Sequence, residues 1–356
     1  MRCLIILLLL CWQMQTTCFA WDSQALRDAL PDDADSLLQD MDPEQPDTKK
    51  GFSALWSAGV DQMRQSLRDA MKSAFVTAAV CLLLSLGEGF ASATGAKPPG
   101  KWAELAGATV ILRMTFSKTG SLLAMCSSTI RKLDRFTKVF TTAFAGAAVL
   151  IGKPGLAAAE AGASMLCSDL VFQLSEKVIL PAVQCCLLLT YAGTISGNGL
   201  LRQFAKTLKK ASVWFYRLFL TGYFAYFSLS GLIAGAADLG AVRTAQSLSS
   251  AVPLIGTVLS GAAETILSGA GILRAGIGFF GFAATLAICL SPLLEAICYD
   301  LVFQGLAGVA GSFAEGGIKT MLQAAADANG MMVGVMTGCC AVQFITVTVG
   351  LTAGSL

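Results

Sequence analysis

DLGAVRTAQSLSSAVPLIGTVLSGAAETILSGAGILRAGIGFFG, residues 238–281, decides how the rest of the chain is read. It carries charges at Asp238, Arg243, Glu264 and Arg274 and a proline at Pro253, with small residues nearly everywhere else and long apolar segments on both sides. A helix facing lipid would avoid those charges, since an ionisable group at mid-bilayer costs roughly 2.5 to 3.5 kcal/mol on insertion scales. A helix in water would have no use for so many glycines, each about 1 kcal/mol worse than alanine. Small-residue backbone broken by a proline is tolerated at membrane depth where it packs on protein or lines a wet cavity. The stretch therefore reads as the inner, packed part of a polytopic all-α membrane protein, with Asp238, Pro253, Glu264 and Arg274 as its candidate intramembrane polar positions.

Composition points the same way. Apolar residues make up 55% of the chain and charged residues 13%, against about 25% charged in a soluble globular domain. The net charge of +2 is too small for a nucleic-acid surface. Histidine is absent, which removes Ser/His/Asp and Cys/His triads, HExxH zinc sites and imidazole proton relays together. There are 12 cysteines but no CxxC, and adjacent pairs such as Cys185/Cys186 and Cys339/Cys340 diverge by about 100° on a helix. They read as small apolar packing residues, so no metal and no cofactor is expected.

Outward from the centre, residues 1–20 have the pattern of a cleaved signal peptide: Arg2, an apolar run from Cys3 to Trp12, and small residues before a cut after Ala20. Residues 21–50 form an acidic, proline-containing extracytoplasmic tail that reads as a solvated spacer, with docking to a partner as its functional alternative. In residues 51–72, Phe52, Leu55, Trp56, Val60, Met63, Leu67 and Met71 recur at helical spacing, which predicts an amphipathic helix on the bilayer surface. Residues 73–356 then make a polytopic domain of about six or seven spans.

The expected crossings are 73–94, 139–156, 178–196, 212–236, 276–299 and 330–352, with 103–128 re-entrant or interfacial because Arg113 and Lys118 break it. Basic clusters at 97–101, 131–138 and 202–210 belong in the cytoplasm by the positive-inside rule. Trp214, Phe215 and Tyr216 are expected to form an interfacial belt, and residues 300–329 an amphipathic segment on the cytoplasmic face. Ser247 should label from outside, and Lys209 and Asn329 from the cytoplasm.

Few motifs suggest chemistry. Gly276-Ile-Gly278-Phe-Phe-Gly281 matches GxGxxG in letters, but it lies inside an apolar span and opens no strand-to-helix turn, so small-residue packing explains it better than a dinucleotide. Gly231 and Gly235 make one GxxxG, and Gly330, Gly334 and Gly338 repeat at four-residue spacing along one face. Such spacing lets helix backbones approach closely. Assembly with another copy and packing within the chain are both open there. Asp238, Glu264, Arg274 and Glu295 could form an ion path, with structural pairing as the plainer reading.

Several phrases resemble the stage III sporulation protein AE family: Ile179-Leu180-Pro181, the basic loop from Leu200 to Lys210, Gly231 to Ala237 leading into Asp238, Val252-Pro253-Leu254-Ile255-Gly256, Gly271 to Gly278 with Arg274, and Leu290-Ser291-Pro292-Leu293. Ala275 and Glu295 depart from the residues common in that family, so no fixed role follows at those two positions. The resemblance implies a multi-pass protein of the mother-cell membrane around the forespore. It would act with other stage III sporulation A-operon membrane proteins and a forespore membrane partner in a secretion-like channel complex needed for late forespore gene expression, with no enzymatic activity. The alternative from a different class is a stand-alone secondary transporter or permease using Glu264 and Arg274.

Overall fold

In the computed structural model, residues 28–31, 34, 48–93, 101–150, 154–249, 256–313 and 317–352 are described, and every element among them is helical. They are α1 (Thr48–Ala93), α2 (Lys101–Leu150), α3 (Pro154–Leu174), a π-helical segment (Ser175–Ile179), α4 (Leu180–Ile195), α5 (Gly199–Ser249), α6 (Gly256–Phe313) and α7 (Gly317–Thr352). The signal peptide falls outside the described residues.

Cross-helix contacts give the directions. Thr115 on α2 meets Tyr191 on α4, Arg131 meets Glu176 and Lys138 meets Asp169, so α2 runs antiparallel to the α3/α4 rod. Tyr216 and Tyr223 on α5 reach Val335 and Val342 on α7, which makes α5 and α7 parallel. Phe282 packs at a tilt against Phe344 while Gly330 lies against Asp300, so α6 opposes α7. Gly59 lies against Leu290 and Met63 meets Cys298, so α1 runs with α6. The six rods thus alternate up and down. The C-terminal ends of α1, α4 and α6 lie at one end of the bundle, and those of α2 and α5 at the other.

The helix in the middle is α7. It touches α2, α4, α5 and α6, and buries residues all round its axis, among them Met321, Leu322, Ala325, Met332, Met336 and Cys339. A helix that is apolar on every face has to sit inside. Residues 238–249 and 256–277, expected to be the packed interior, are helical in backbone, but their side chains lie outside the described residues.

Among the described residues, three stretches are long and apolar enough to cross a membrane: Ala163–Ile195, Gly278–Val309 and Gly317–Thr348. They contain or overlap the crossings expected at 178–196, 276–299 and 330–352. The side chains of 212–236 are described only as far as Tyr226.

Four expectations about the segments change. The surface helix 51–72 and the span 73–94 are one rod, α1. The re-entrant segment 103–128 is part of the continuous 50-residue α2, as is the basic cluster 131–138. That cluster is therefore no loop: it lies mid-rod against Asp169 and Glu176 of the apolar stretch Ala163–Ile195, and gives no vote under a rule that counts charges at the ends of spans. The segment expected at 300–329 falls where α6 closes, up to Phe313, and where the buried α7 opens, from Gly317. Finally, the tail is not wholly a solvated spacer. Leu30 and Ala34 are buried against the bundle, and Pro31 and Ala34 border a small cavity with Lys132 and Glu295.

Proline and glycine shape the α3 to α5 turn. Pro181 has no N–H to donate to the preceding turn. The π segment sits just before it, and the Leu180 N–H bonds the Ser175 carbonyl, five residues back. After Ile195 the chain reverses at Gly197, whose φ of 68° is left-handed and suits glycine. Asn198 Oδ1 then accepts from the Leu200 N–H at 3.0 Å, capping α5. The reversal is tight enough that a Cβ on Gly193 would come within 2.9 Å of Leu201 and Arg202.

Candidate functional site

The glycines at four-residue spacing on α7 pack within the chain at two of three positions. A Cβ on Gly338 would collide with Tyr216 Oη and come within 2.9 Å of Leu220 on α5. On Gly330 it would stand 3.2 Å from Asp300 Oδ1 on α6. At Gly334 it would meet nothing within 4 Å. The same economy explains Gly281, the last glycine of the GxGxxG letters: its missing side chain is filled by the Phe140 ring of α2. Gly231 and Gly235 fall in α5 beyond the described side chains.

Gly338 has a purpose that its spacing alone could not reveal. It admits Tyr216, whose hydroxyl donates to the Val335 carbonyl at 3.0 Å. One heptad on, Tyr223 donates to the Val342 carbonyl at 3.2 Å and shares a 2.8 Å bond with Thr346. Both tyrosines are buried. Tyr216 therefore belongs to the α5/α7 seam and not to an outward aromatic belt, while Trp214 and Phe215 do face outward.

A second polar seam joins α2 to α3 and the π segment. Arg131 bonds Glu176 at 2.7 Å, and Ser127 adds a 3.3 Å bond to the same carboxylate. Two turns further along α2, Lys138 Nζ lies 2.7 Å from both Asp134 and Asp169. Two of the cations that the sequence assigned to a cytoplasmic loop are thus neutralised between helices.

A third seam lies near the α4/α5 turn. Lys209 Nζ meets Asp327 Oδ2 at 2.7 Å, tying α5 to α7. On one side of this bridge is a cleft of about 600 Å³ between α4, α5 and α7, bordered by Arg202, Lys206, Lys209 and Lys319. On the other is a cleft of about 650 Å³ between α5, α6 and α7, onto which Gly334 opens, lined by Ile179, Val213 and Leu220. Hydropathy along the sequence shows neither that Asp327 faces α5 nor that Lys209 is its partner. Asn329, expected to be accessible, is 1% exposed, and its amide has no hydrogen-bond partner among the described residues.

Of the polar candidates, Pro253 and the side chains of Asp238, Glu264 and Arg274 lie outside the described residues. Glu295 lines the cavity of about 250 Å³ that also meets Lys132 and the tail. Among the described residues the cysteines are free, and all are buried except half-buried Cys167 and exposed Cys185. No group of three Cys, Asp or Glu side chains among them is placed to hold a metal ion.

Comparison with known proteins adds a relative. Stage III sporulation protein AE of Bacillus subtilis (strain 168) is 21% identical over 184 residues, which is 51% of this chain and 46% of that protein. The alignment thus spans about half the length of the curated relative. No solved structure matches this chain. The family described as Stage III sporulation protein AE matches residues 33–354, nearly the whole described bundle, and the chain belongs to that family.

Proposed function

We propose that this chain is a structural or conduit membrane component of the complex joining mother cell and forespore, needed for endospore development and late forespore gene expression. The observation that carries the reading is the family match over residues 33–354 laid onto an up-and-down apolar bundle whose interior polar groups tie helix to helix. Rod length supports it. Helices of 50, 51 and 58 residues run roughly 75 to 87 Å, well over twice the hydrocarbon core. Rods of that length carry the protein beyond the bilayer, into the space where a second membrane's proteins can be met.

On this reading the protein sits in the mother-cell membrane around the forespore and is not an enzyme. It acts with other stage III sporulation A-operon membrane proteins, a forespore membrane partner and further copies of itself. Deleting the gene in its sporulating host should arrest development after engulfment with a late forespore reporter silent. A tagged copy should then restore both and bring the other operon products through purification in mild detergent. Normal spore counts in the deletion strain would end the proposal. Saturable solute flux by the protein reconstituted alone, abolished by Glu264→Gln, would replace it with a transporter.

A further inference from the structure

We infer that the outer face of α2 is the wall of a water-filled path across the membrane, turned to hydrophilic solutes and away from lipid. The inference deepens the conduit reading by naming the face that serves it. It rests on that reading and on the three apolar stretches being spans.

Depth is the first observation. Thr115 bonds Tyr191 and Lys138 bonds Asp169, so residues 115–138 of α2 lie alongside 169–191, inside the apolar stretch Ala163–Ile195. Phe140 fills the space at Gly281, and Thr137 donates to Gln343, which ties the same part of α2 to the stretches Gly278–Val309 and Gly317–Thr348. α2 therefore crosses the slab that the three apolar stretches cross. The second observation is what α2 exposes there. Ser117, Ser121, Ala124, Arg131 and Arg135 are exposed and Ser128 is half-buried. They follow one another at alternating four- and three-residue steps, one face of a helix, with exposed Lys118 beside them. Between 113 and 138 no large apolar side chain of α2 is exposed, whereas at the same depth α4 exposes Leu188, α5 exposes Trp214 and Leu218, and α6 exposes Leu301. Those three helices present a surface for lipid. Ionisable groups at such depth face a watery cavity or protein.

The third observation, independent of the first two, decides between water and protein. The tail reaches this depth: Pro31 and Ala34 border a cavity with Ser128 of α2 and with Ile288 and Glu295, which lie within Gly278–Val309. In the sequence Asp28, Asp32, Asp33 and Asp35 surround those two residues. A segment so acidic does not pass through hydrocarbon, so the side of α2 along which it enters is wet. Arg131 adds to this. Its carboxylate, Glu176, is supplied by the chain itself at 2.7 Å, and the arginine is still 54% exposed. It needs no partner's acid, and a second copy of this face would set Lys118 and Arg135 against their own kind.

The test uses the full chain in membranes of its sporulating host, so that whatever it assembles with stays in place. Ser121→Cys and Ala124→Cys on the α2 face are compared with Leu188→Cys and Leu301→Cys, which are exposed at the same depth on α4 and α6. Each membrane sample is treated with a charged methanethiosulfonate, and modification is read site by site by mass spectrometry. The reagent attacks the thiolate, which forms in water and not in hydrocarbon. The expected result is modification of Ser121→Cys and Ala124→Cys at least about tenfold faster than of the two leucine variants. Should either variant not fold, Ser117→Cys takes its place. Rates on the α2 face as slow as those at Leu188→Cys and Leu301→Cys overturn the proposal, whether lipid or a partner protein is the cover. Equally fast rates at all four positions overturn it too, since the slab would then hold no lipid. The conduit reading fails by a different result, normal spore counts in the deletion strain, which leaves the labelling pattern as it is.

Discussion

At the scale of single residues, the two ends of one glycine run make opposite predictions. Gly338 lies under Tyr216, and Tyr216 is held in place by its bond to the Val335 carbonyl. The ring cannot swing away from a new methyl without losing that bond. Gly338→Ala should therefore lower stability by about 1 to 3 kcal/mol, the usual cost of overpacking. Gly334→Ala meets nothing within 4 Å, so it should be neutral or up to about 1 kcal/mol stabilising through helix propensity. Thermal unfolding in detergent, monitored by circular dichroism, separates the two. Equal midpoints for both variants would show that the run is not packed as described. The spacing in the sequence places these glycines on one face of a helix. It could not rank them, because i, i+4, i+8 positions share a face of one helix while their neighbours belong to different helices.

At the scale of elements, the seams between rods were the least visible part of the chain. Periodicity shows that a helix has an apolar stripe but not which polar residue crosses to which partner. Arg131 and Lys138 looked like loop cations because they stand in a local cluster, whereas their acids, Glu176 and Asp169, are 45 and 31 positions away in sequence. The seam can be tested by removing its centre. Lys138→Met leaves Asp134 and Asp169 facing each other with no cation, and the three groups are only partly exposed. Removing one partner of a fully buried pair costs about 3 to 5 kcal/mol. Partial solvation reduces this, so a loss of about 1 to 2 kcal/mol is expected. Asp134→Asn should cost less, since the Lys138 to Asp169 pair remains and the amide can still accept a bond. The order of the two midpoints is the result to read, and a larger loss for Asp134→Asn would contradict the seam. On the opposite seam, Tyr216→Phe and Tyr223→Phe each remove a buried donor, at about 1 kcal/mol apiece. Seven residues and two turns of α5 separate them, so their losses should add.

For the molecule as a whole, the all-helical class was legible from composition, because so few charges in so much apolar sequence point to long apolar helices packed on one another. Where each rod begins and ends was not, because hydropathy divides a chain where charges occur, while a helix ends where its backbone bonds end. Arg113, Lys118 and the 131–138 cluster interrupt the apolar signal inside α2 without interrupting its ladder, and so one rod was read as two segments. The alternation of six rods then fixes a topology that can be checked from outside. α5 is one continuous helix of 51 residues, roughly 77 Å long, so its two ends lie on opposite sides of any bilayer it crosses. With the basic start of α5 in the cytoplasm, Lys206→Cys should react with an impermeant maleimide only after the membrane is opened. Ser247→Cys should react in intact cells. Asn329→Cys should label from neither side before denaturation, since the position is 1% exposed in the centre of the bundle. Labelling of Lys206→Cys and Ser247→Cys from the same side would require α5 to fold back on itself, which a single unbroken helix forbids. That outcome would remove the up-and-down bundle together with every contact argued from it.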